Sequence, residues 1–427
     1  MPTKAAILEG SQFSVVYDKN PINTTGAPRM VITYQYAGTS APDDLPTSTT
    51  YTGWTAFSQG NKDAFRAALD HIETFLNVSF REVVGNDDPD INVGKVTLPG
   101  AQTGSGGIAV GSVGDDIVQY DGFTLYDNLY NLANWPDLVL HELGHALGLK
   151  HPFDAPVTMP KLYDSTKYSV MSYTSNPDNG VDSDAMMLHD VFALQDIWGA
   201  ASYNTGNTTY TGSRTKTVDV IWDTSGVDVL NASSHTDDVV LNLREGRFSS
   251  FDAKDDVVIA YGTRIENAKG GAGNDILRGD VWRNSLIGGN GKDSLYGGGR
   301  NDTIGGGDGN DRLFGQNGAD KLWGQNGNDI LTGGNGKDTL IGSTGNDKLI
   351  GGADADLFVF AKGYDKDNIA DFQDNIDTLE INGLGSVSDI LGHAEQVGTM
   401  VIFKFGDGDW LRVWNITIAD LSDDIIA

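Results

Sequence analysis

Ten glycines stand at a strict interval of nine, at positions 270, 279, 288, 297, 306, 315, 324, 333, 342 and 351. Such a ruler admits few folds, because every unit must be built alike and must stack on its neighbours. The sixth residue of the unit is Asp275, Asp293, Asp302, Asp311, Asp320, Asp329, Asp338, Asp347 and Asp356, with Asn284 the one departure. The eighth is always large and apolar, from Leu277 to Phe358. Glycine allows a tight turn with positive φ that aims carbonyls inward, and Asp supplies a hard, anionic oxygen. The pattern Gly-Gly-x-Gly-x-Asp-x-Leu-x therefore predicts a calcium-binding parallel β-roll over residues 270–359. The last three residues of each unit would form a short strand, and two units one full turn. Aspartates 18 residues apart would then stack with Ca²⁺ between turns. A disordered glycine-rich tract keeps no such register. Residues 279–284 lack most of the pattern, and Arg300 and Asp354 replace a glycine, so sites touching those turns should be incomplete. Without the ion the aspartates repel one another, and the roll is expected to fold only on binding calcium. Modules of this kind work at about 10⁻⁴–10⁻³ M calcium, an extracellular level.

A second constraint lies upstream. Residues 141–151 read His-Glu-Leu-Gly-His-Ala-Leu-Gly-Leu-Lys-His. Positions four apart share a helix face, so His141 and His145 can reach one ion from adjacent turns. Gly148 suits a left-handed helix stop, after which the chain can return His151 as a third ligand. Three protein ligands leave a position for water, the pattern of a catalytic rather than a structural zinc. Glu142, between two ligands, is placed to act as general base on that water, which zinc brings to a pKa of about 7. Asn134 reads as the helix cap, Pro136 as a first-turn proline and Asp137 as a complement to the positive helix end.

Composition narrows the partners. With 59 Asp+Glu against 29 Lys+Arg the net charge is −30, which argues against nucleic acid and anionic membranes and suits divalent cations. No cysteine is present, so disulfides and thiolate metal sites are excluded. No run of about 18 apolar residues offers a membrane span. The first ten residues contain no apolar signal region, which alone would read as cytosolic; the calcium module reverses that.

Residues 31–36 and 78–83 read as strands, with a helix from about 62 to 76 on the spacing of Phe65, Ala68, Leu69, Ile72, Phe75 and Leu76. Residues 106–121 hold two more strands, one a sheet edge able to pair with an extended substrate. A helix over 190–198 closes this region, and the polar stretch 204–210 places a boundary near 203. Phe372, Ile376, Leu379 and residues 410–418 would cap the roll.

The string from His141 to His151, then Ser169-Val170-Met171-Ser172-Tyr173, then the nonamers, together resemble the serralysin-type secreted metalloproteases, metzincins with RTX repeats. The resemblance implies an α+β metzincin zinc-protease domain followed by an all-β parallel β-roll. Residues 1–20 would be an N-terminal segment and short propeptide of a zymogen, 21–203 the catalytic domain, and 204–427 the C-terminal β domain with roll, cap and secretion signal. It implies zinc on His141, His145 and His151, Glu142 as base, Tyr173 as a switchable fifth ligand and Met171 in the turn beneath the metal. Asp223, Asp228 and Glu266 match calcium positions before the roll. Implied partners are protein and peptide substrates, a type I ABC exporter reading the end Asp423–Ala427, and a proteinaceous inhibitor, for a monomeric bacterial endopeptidase outside the cell. Two other readings are a calcium-dependent adhesion protein with a dead zinc domain and a zinc hydrolase of non-peptide substrates. Intact Glu142 and Tyr173 weigh against the first, and an extended cleft against the second.

Overall fold

Contacts divide the chain, in a computed structural model that describes residues 2–17, 19–85, 88–155, 157–212, 217–406 and 408–427, into two units. Met1 and Asp18 of the N-terminal segment lie outside the described residues. The first unit is Met1–Thr205 with Ser213–Ser225 and Val257–Thr263; the second is Gly206–Gly212, Gly226–Asp256 and Arg264–Ala427. The first exchange falls two residues beyond the expected boundary, and the chain then returns twice to the first unit. Among the described residues, no helix is long and apolar enough to cross a membrane.

In the first unit, helix α1 (Lys4–Ser11) precedes strands β1 (Met30–Tyr36) and β2 (Thr52–Thr55), helix α2 (Gln59–Glu73), and strands β3 (Val78–Glu82), β4 (Ile91–Thr97), β5 (Gly104–Val113) and β6 (Asp116–Asp127). Helices α3 (Pro136–Ala146) and α4 (Leu188–Trp198) follow. The sheet order is β3-β1-β4-β6-β5, with β2 on β4, so β5 is an edge strand, antiparallel to β6. Helix α2 starts three residues earlier than its apolar spacing suggests, because Ser58 accepts a hydrogen bond from Asn61 N and so caps it. Its buried face of Phe65, Ala68, Leu69 and Ile72 joins Ile32, Tyr34, Val93 and Leu143 in one core. Each of the larger of these side chains contributes about 2 kcal/mol on burial.

Helix α3 corrects one expectation. Asn134 ends a 3₁₀ turn (Leu132–Asn134) begun by the Asn131 side chain, and Trp135 takes the cap position with no side-chain bond. The helix stops at Gly148, whose φ is 109°. Leu149 N donates to Gly144 O at 2.8 Å, the six-residue closure of a glycine-terminated helix. The segment just beyond is paired with the N-terminal chain: Phe13 N donates to Gly148 O and Lys150 N to Ser11 O, both at 2.9 Å. Ile7, Ser11, Gln12 and Val16 are buried, so this stretch is part of the unit's packing.

In the second unit, strands such as Ser294–Gly299, Arg312–Asn317 and Ile330–Asn335 pair in parallel in one sheet, and Ser285–Asn290, Thr303–Asp308 and Lys321–Asn326 in another. The register pairs Leu295 with Leu313 and Ile304 with Leu322, an offset of 18, so two units do make one turn. The strands run six residues rather than three, continuing into the glycines of the next unit. Every eighth-position side chain from Leu277 to Phe358 is at most 2% exposed. Parallel pairing also runs past 359, through Lys366–Ile369 and Thr378–Asn382. The strand Asp409–Trp414 is then followed across the sheet by antiparallel Met400–Gly406 and Ala394–Val397, the last of which ends one sheet. Phe372 and Leu379 are buried there, whereas Ile376 is 48% exposed and takes no part in the cap's core.

Close backbone stacking explains the glycines. A β-carbon on Gly309 (φ 129°) would lie 1.7 Å from Gly291 O, while one on Gly305 would meet only the end of the Gln325 side chain. Gly309→Ala is therefore expected to cost about 2 kcal/mol or more and Gly305→Ala about 0.5 kcal/mol or less. Thermal unfolding of the two variants checks this; equal melting shifts would contradict it.

Candidate active site

Helix α3 presents His141 and His145 on one face, and the Gly148 stop lets His151 swing back to them. His141 Nε2 lies 3.2 Å from His151 Nε2, and His145 Nε2 lies 3.1 Å from it. The three rings form a group whose ligand atoms all lie within 4.8 Å of one another.

Their orientation is set from behind. His141 Nδ1 is 2.9 Å from Val170 O, His145 Nδ1 is 2.9 Å from Leu149 O, and His151 Nδ1 is 2.8 Å from Asp154 Oδ2. Carbonyl oxygens and carboxylates only accept, so each Nδ1 carries the proton and each Nε2 offers a lone pair. Three lone pairs facing one point repel unless a cation lies between them, and this donor set fits a tetrahedral zinc with one position left over. Burial lowers the pKa of His141 to about 4 and of His145 to about 3, with repulsion from neighbouring rings adding in both. Both rings are therefore neutral at pH 7, as metal ligation requires.

Glu142 is 5% exposed, and burial lifts its carboxyl to about 8. A dication nearby favours the ionised form and opposes that shift. Gly104 and Gly106 on edge strand β5 give it room, since a β-carbon on Gly104 would lie 2.3 Å from Glu142 Oε1. Tyr173 is 70% exposed, with its ring 5.5 Å from that of His141 and 4.7 Å from that of His151. Met171 is buried, its sulfur 2.5 Å from where a Gly144 β-carbon would stand. The turn beneath the rings thus needs glycine between the two helical ligands.

Two residues of this site escaped the reading of the sequence. Asp154 orients His151. Asp190, wholly buried, accepts from Ser169 Oγ (2.6 Å), Val170 N (2.7 Å) and Met187 N (3.0 Å) and so pins the carbonyl that holds His141. Burial raises Asp190 to about 6 against those three bonds. A carboxylate three residues after the third histidine was the available signal for Asp154; Asp190 looked like a helix-start acid.

In the second unit, the repeat aspartates form two columns, one through Asp275, Asp293, Asp311, Asp329 and Asp347 and one through Asp302, Asp320, Asp338 and Asp356. Asp275 N donates to Asp293 Oδ1 (2.7 Å), Asp293 N to Asp311 Oδ1 (2.8 Å), and the ladder repeats at an offset of 18. The other oxygen, Oδ2, is buried and finds no hydrogen-bond partner among the described residues in Asp293, Asp302, Asp311, Asp320, Asp329, Asp338, Asp347 and Asp356. Asp275 differs, since Gly271 N and Val239 N occupy its carboxylate. Asn284 is engaged as well, with Asp280 N and Glu266 O. Two further rungs, Asp367 and Asp377, accept from Asp347 N and Asp356 N at offsets of 20 and 21. The longer turns took them off the ninefold ruler, though each keeps an apolar residue two places on, Ile369 and Leu379. Arg300 and Asp354 take the positive φ of the glycines they replace. Of the positions before the roll, Asp228 and Glu266 meet, Asp228 N donating to Glu266 Oε2 at 2.8 Å, while Asp223 belongs to the first unit and accepts from Ser225 N.

Comparison with known proteins gives the family. Residues 193–415 match the family model described as Peptidase M10 serralysin C terminal, more than half of the chain. The chain is 31% identical over 304 residues to metallopeptidase AprA of Pseudomonas marginalis, covering 61% of this chain and 62% of that one. It is 31% identical over 274 residues to serralysin of Proteus mirabilis (54% and 56%) and 32% over 283 to serralysin of Photorhabdus luminescens (58% and 57%). The chain thus spans less than two thirds of the length of these curated relatives. It belongs to the M10 serralysin family.

The hydrogen bond from His151 to Asp154 is testable. Asp154→Ala should weaken zinc retention about 10–100-fold in a chelator competition. Unchanged retention would mean the ring is held by packing alone.

Proposed function

We propose that this chain is a secreted zinc-dependent endopeptidase whose C-terminal roll is stabilised by calcium. The observation that carries it is the convergence of three Nε2 lone pairs beside a buried glutamate. His141, His145 and His151 would hold the zinc, which supplies Lewis acidity toward a carbonyl and toward water. Glu142 takes a proton from the attacking water and later delivers it to the leaving amine, a role worth about 10²–10⁴-fold. Tyr173, exposed beside two of the rings, can donate its hydroxyl proton to the tetrahedral oxygen. Edge strand β5 offers unpaired backbone groups to an extended peptide, which favours a peptide over a small ester or amide. Phe13 packs its ring 5.7 Å from that of His145, and a short propeptide within residues 1–20 belongs to the same proposal.

The test is casein and peptide hydrolysis by the wild type and Glu142→Gln at equal zinc content. Loss of about 10²-fold or more is expected. Equal rates would remove the assigned base.

Calcium fits both columns for a local reason. A β-carbon on Gly288 would lie 2.3 Å from Asp293 Oδ2 and 2.5 Å from Gly306 O, and the same space opens at Gly297, Gly306, Gly315, Gly324 and Gly333. A vacant carboxylate oxygen and a carbonyl share each space, which is hard-cation chemistry. Export by a type I ABC exporter through Asp423–Ala427, and control by a proteinaceous inhibitor, belong to the same proposal.

Burial lifts the carboxyls of Asp293, Asp302, Asp329, Asp338 and Asp356 to about 7 and of Asp311, Asp320 and Asp347 to about 6. The calcium-free folded roll then binds protons that the unfolded chain releases, so its stability falls as pH rises from about 4 through 7. In excess chelator, circular dichroism should show more β-structure at pH 5 than at pH 8, with calcium restoring it at pH 8. Full β-content in chelator at pH 8 would contradict the calcium role.

A further inference from the structure

Beside the catalytic groups the first unit carries a cavity of about 580 Å³ that reaches from His141, Glu142 and Tyr173 to a wall formed by Trp135, Leu138 and Val170, with Asp137 and Asp182 also lining it. Among the described residues that line it, none is a lysine or an arginine. Trp135 is 44% exposed, its indole set edge-on against Tyr130 at 5.3 Å, so an aromatic face is available.

The chemistry of this wall is matched to one kind of occupant. An aromatic face and two aliphatic side chains suit an alkyl stem, and two carboxylates suit a cationic head at its end. Asp182 is exposed and accepts from Thr166 Oγ1 at 3.5 Å, and Asp137 is half-buried, so both carboxylates are open to a cationic head entering the cavity. Asp137 alone has a plain structural role, since it sits in the first turn of α3 where a negative charge is favoured. That role does not account for Asp182, which comes from a different segment. Burial, with repulsion from Asp182 added, raises the Asp137 carboxyl, so a cation between the two would relieve a repulsion already present.

We propose that this cavity selects a lysine or arginine side chain on one of the two residues flanking the cleaved bond, with Asp182 and Asp137 as the specificity-determining groups. The inference rests on the endopeptidase reading and adds its substrate class.

The experiment digests a mixed peptide library with the zinc-loaded wild type, maps the cleaved bonds by mass spectrometry, and then measures kcat/KM for matched peptides carrying Lys, Leu or Glu at the preferred position. Lys is expected to exceed Leu by about tenfold, the scale of discrimination a pocket of this kind supplies. In Asp182→Asn the Lys-to-Leu ratio should fall to within about twofold, and in Asp182→Lys the order of Lys and Glu should reverse. A merely structural Asp182 would lower all three peptides alike and leave the ratios unchanged, which overturns the proposal. Cleavage by the wild type with no preference for a cationic residue overturns it too, while leaving the endopeptidase reading intact. No cleavage of any peptide by the wild type sinks that reading and the pocket with it.

Discussion

Each imidazole of the triad gives its Nδ1 proton to an oxygen that the fold holds still, and this is what turns three Nε2 lone pairs toward one point. Remove the oxygens and the rings are free to rotate apart. Much of the local structure serves those acceptors. Leu149 O is placed by the glycine stop of α3 and by residues 11–13 pairing along the same stretch. Val170 O is placed by the turn that Asp190 grips from below. Only Asp154 is a side chain, and at 42% exposure it is the support that a substitution can remove without touching the backbone.

The roll repeats the same logic with carboxylates. From Asp293 to Asp356, one oxygen of each repeat aspartate is committed to a backbone N–H of the turn before, which leaves the second oriented, buried and without a proton donor among the described residues. A buried acceptor left unpaired is costly, and its repetition from Asp293 to Asp356 supports the calcium proposed for the roll. The net charge of −30 is thus partly a structural property of the second unit and not simply a solubility device.

Periodic features were legible because their cause is periodic. The ninefold glycines follow from backbone stacking at an offset of 18, and the apolar eighth position from a coil interior with one side chain per strand. The histidine triad was legible because helical spacing and a glycine stop are local rules. What the sequence hid lies across long separations. Asp190 stands 21 and 20 residues from Ser169 and Val170, the turn it supports, with nothing in its neighbourhood to mark it. Asp367 and Asp377 do the work of repeat aspartates, but longer turns moved them off the register that identified the others. Asn134 failed as a cap because a 3₁₀ turn nucleated by Asn131 had already used it.

X-ray absorption at the zinc edge, on the purified and folded protein, is the sharpest check on the three-imidazole site. One zinc per chain is expected, bound by three imidazoles at about 2.0–2.1 Å and one light-atom ligand. Zinc absent from the folded chain, or bound through fewer than three imidazoles, would refute it.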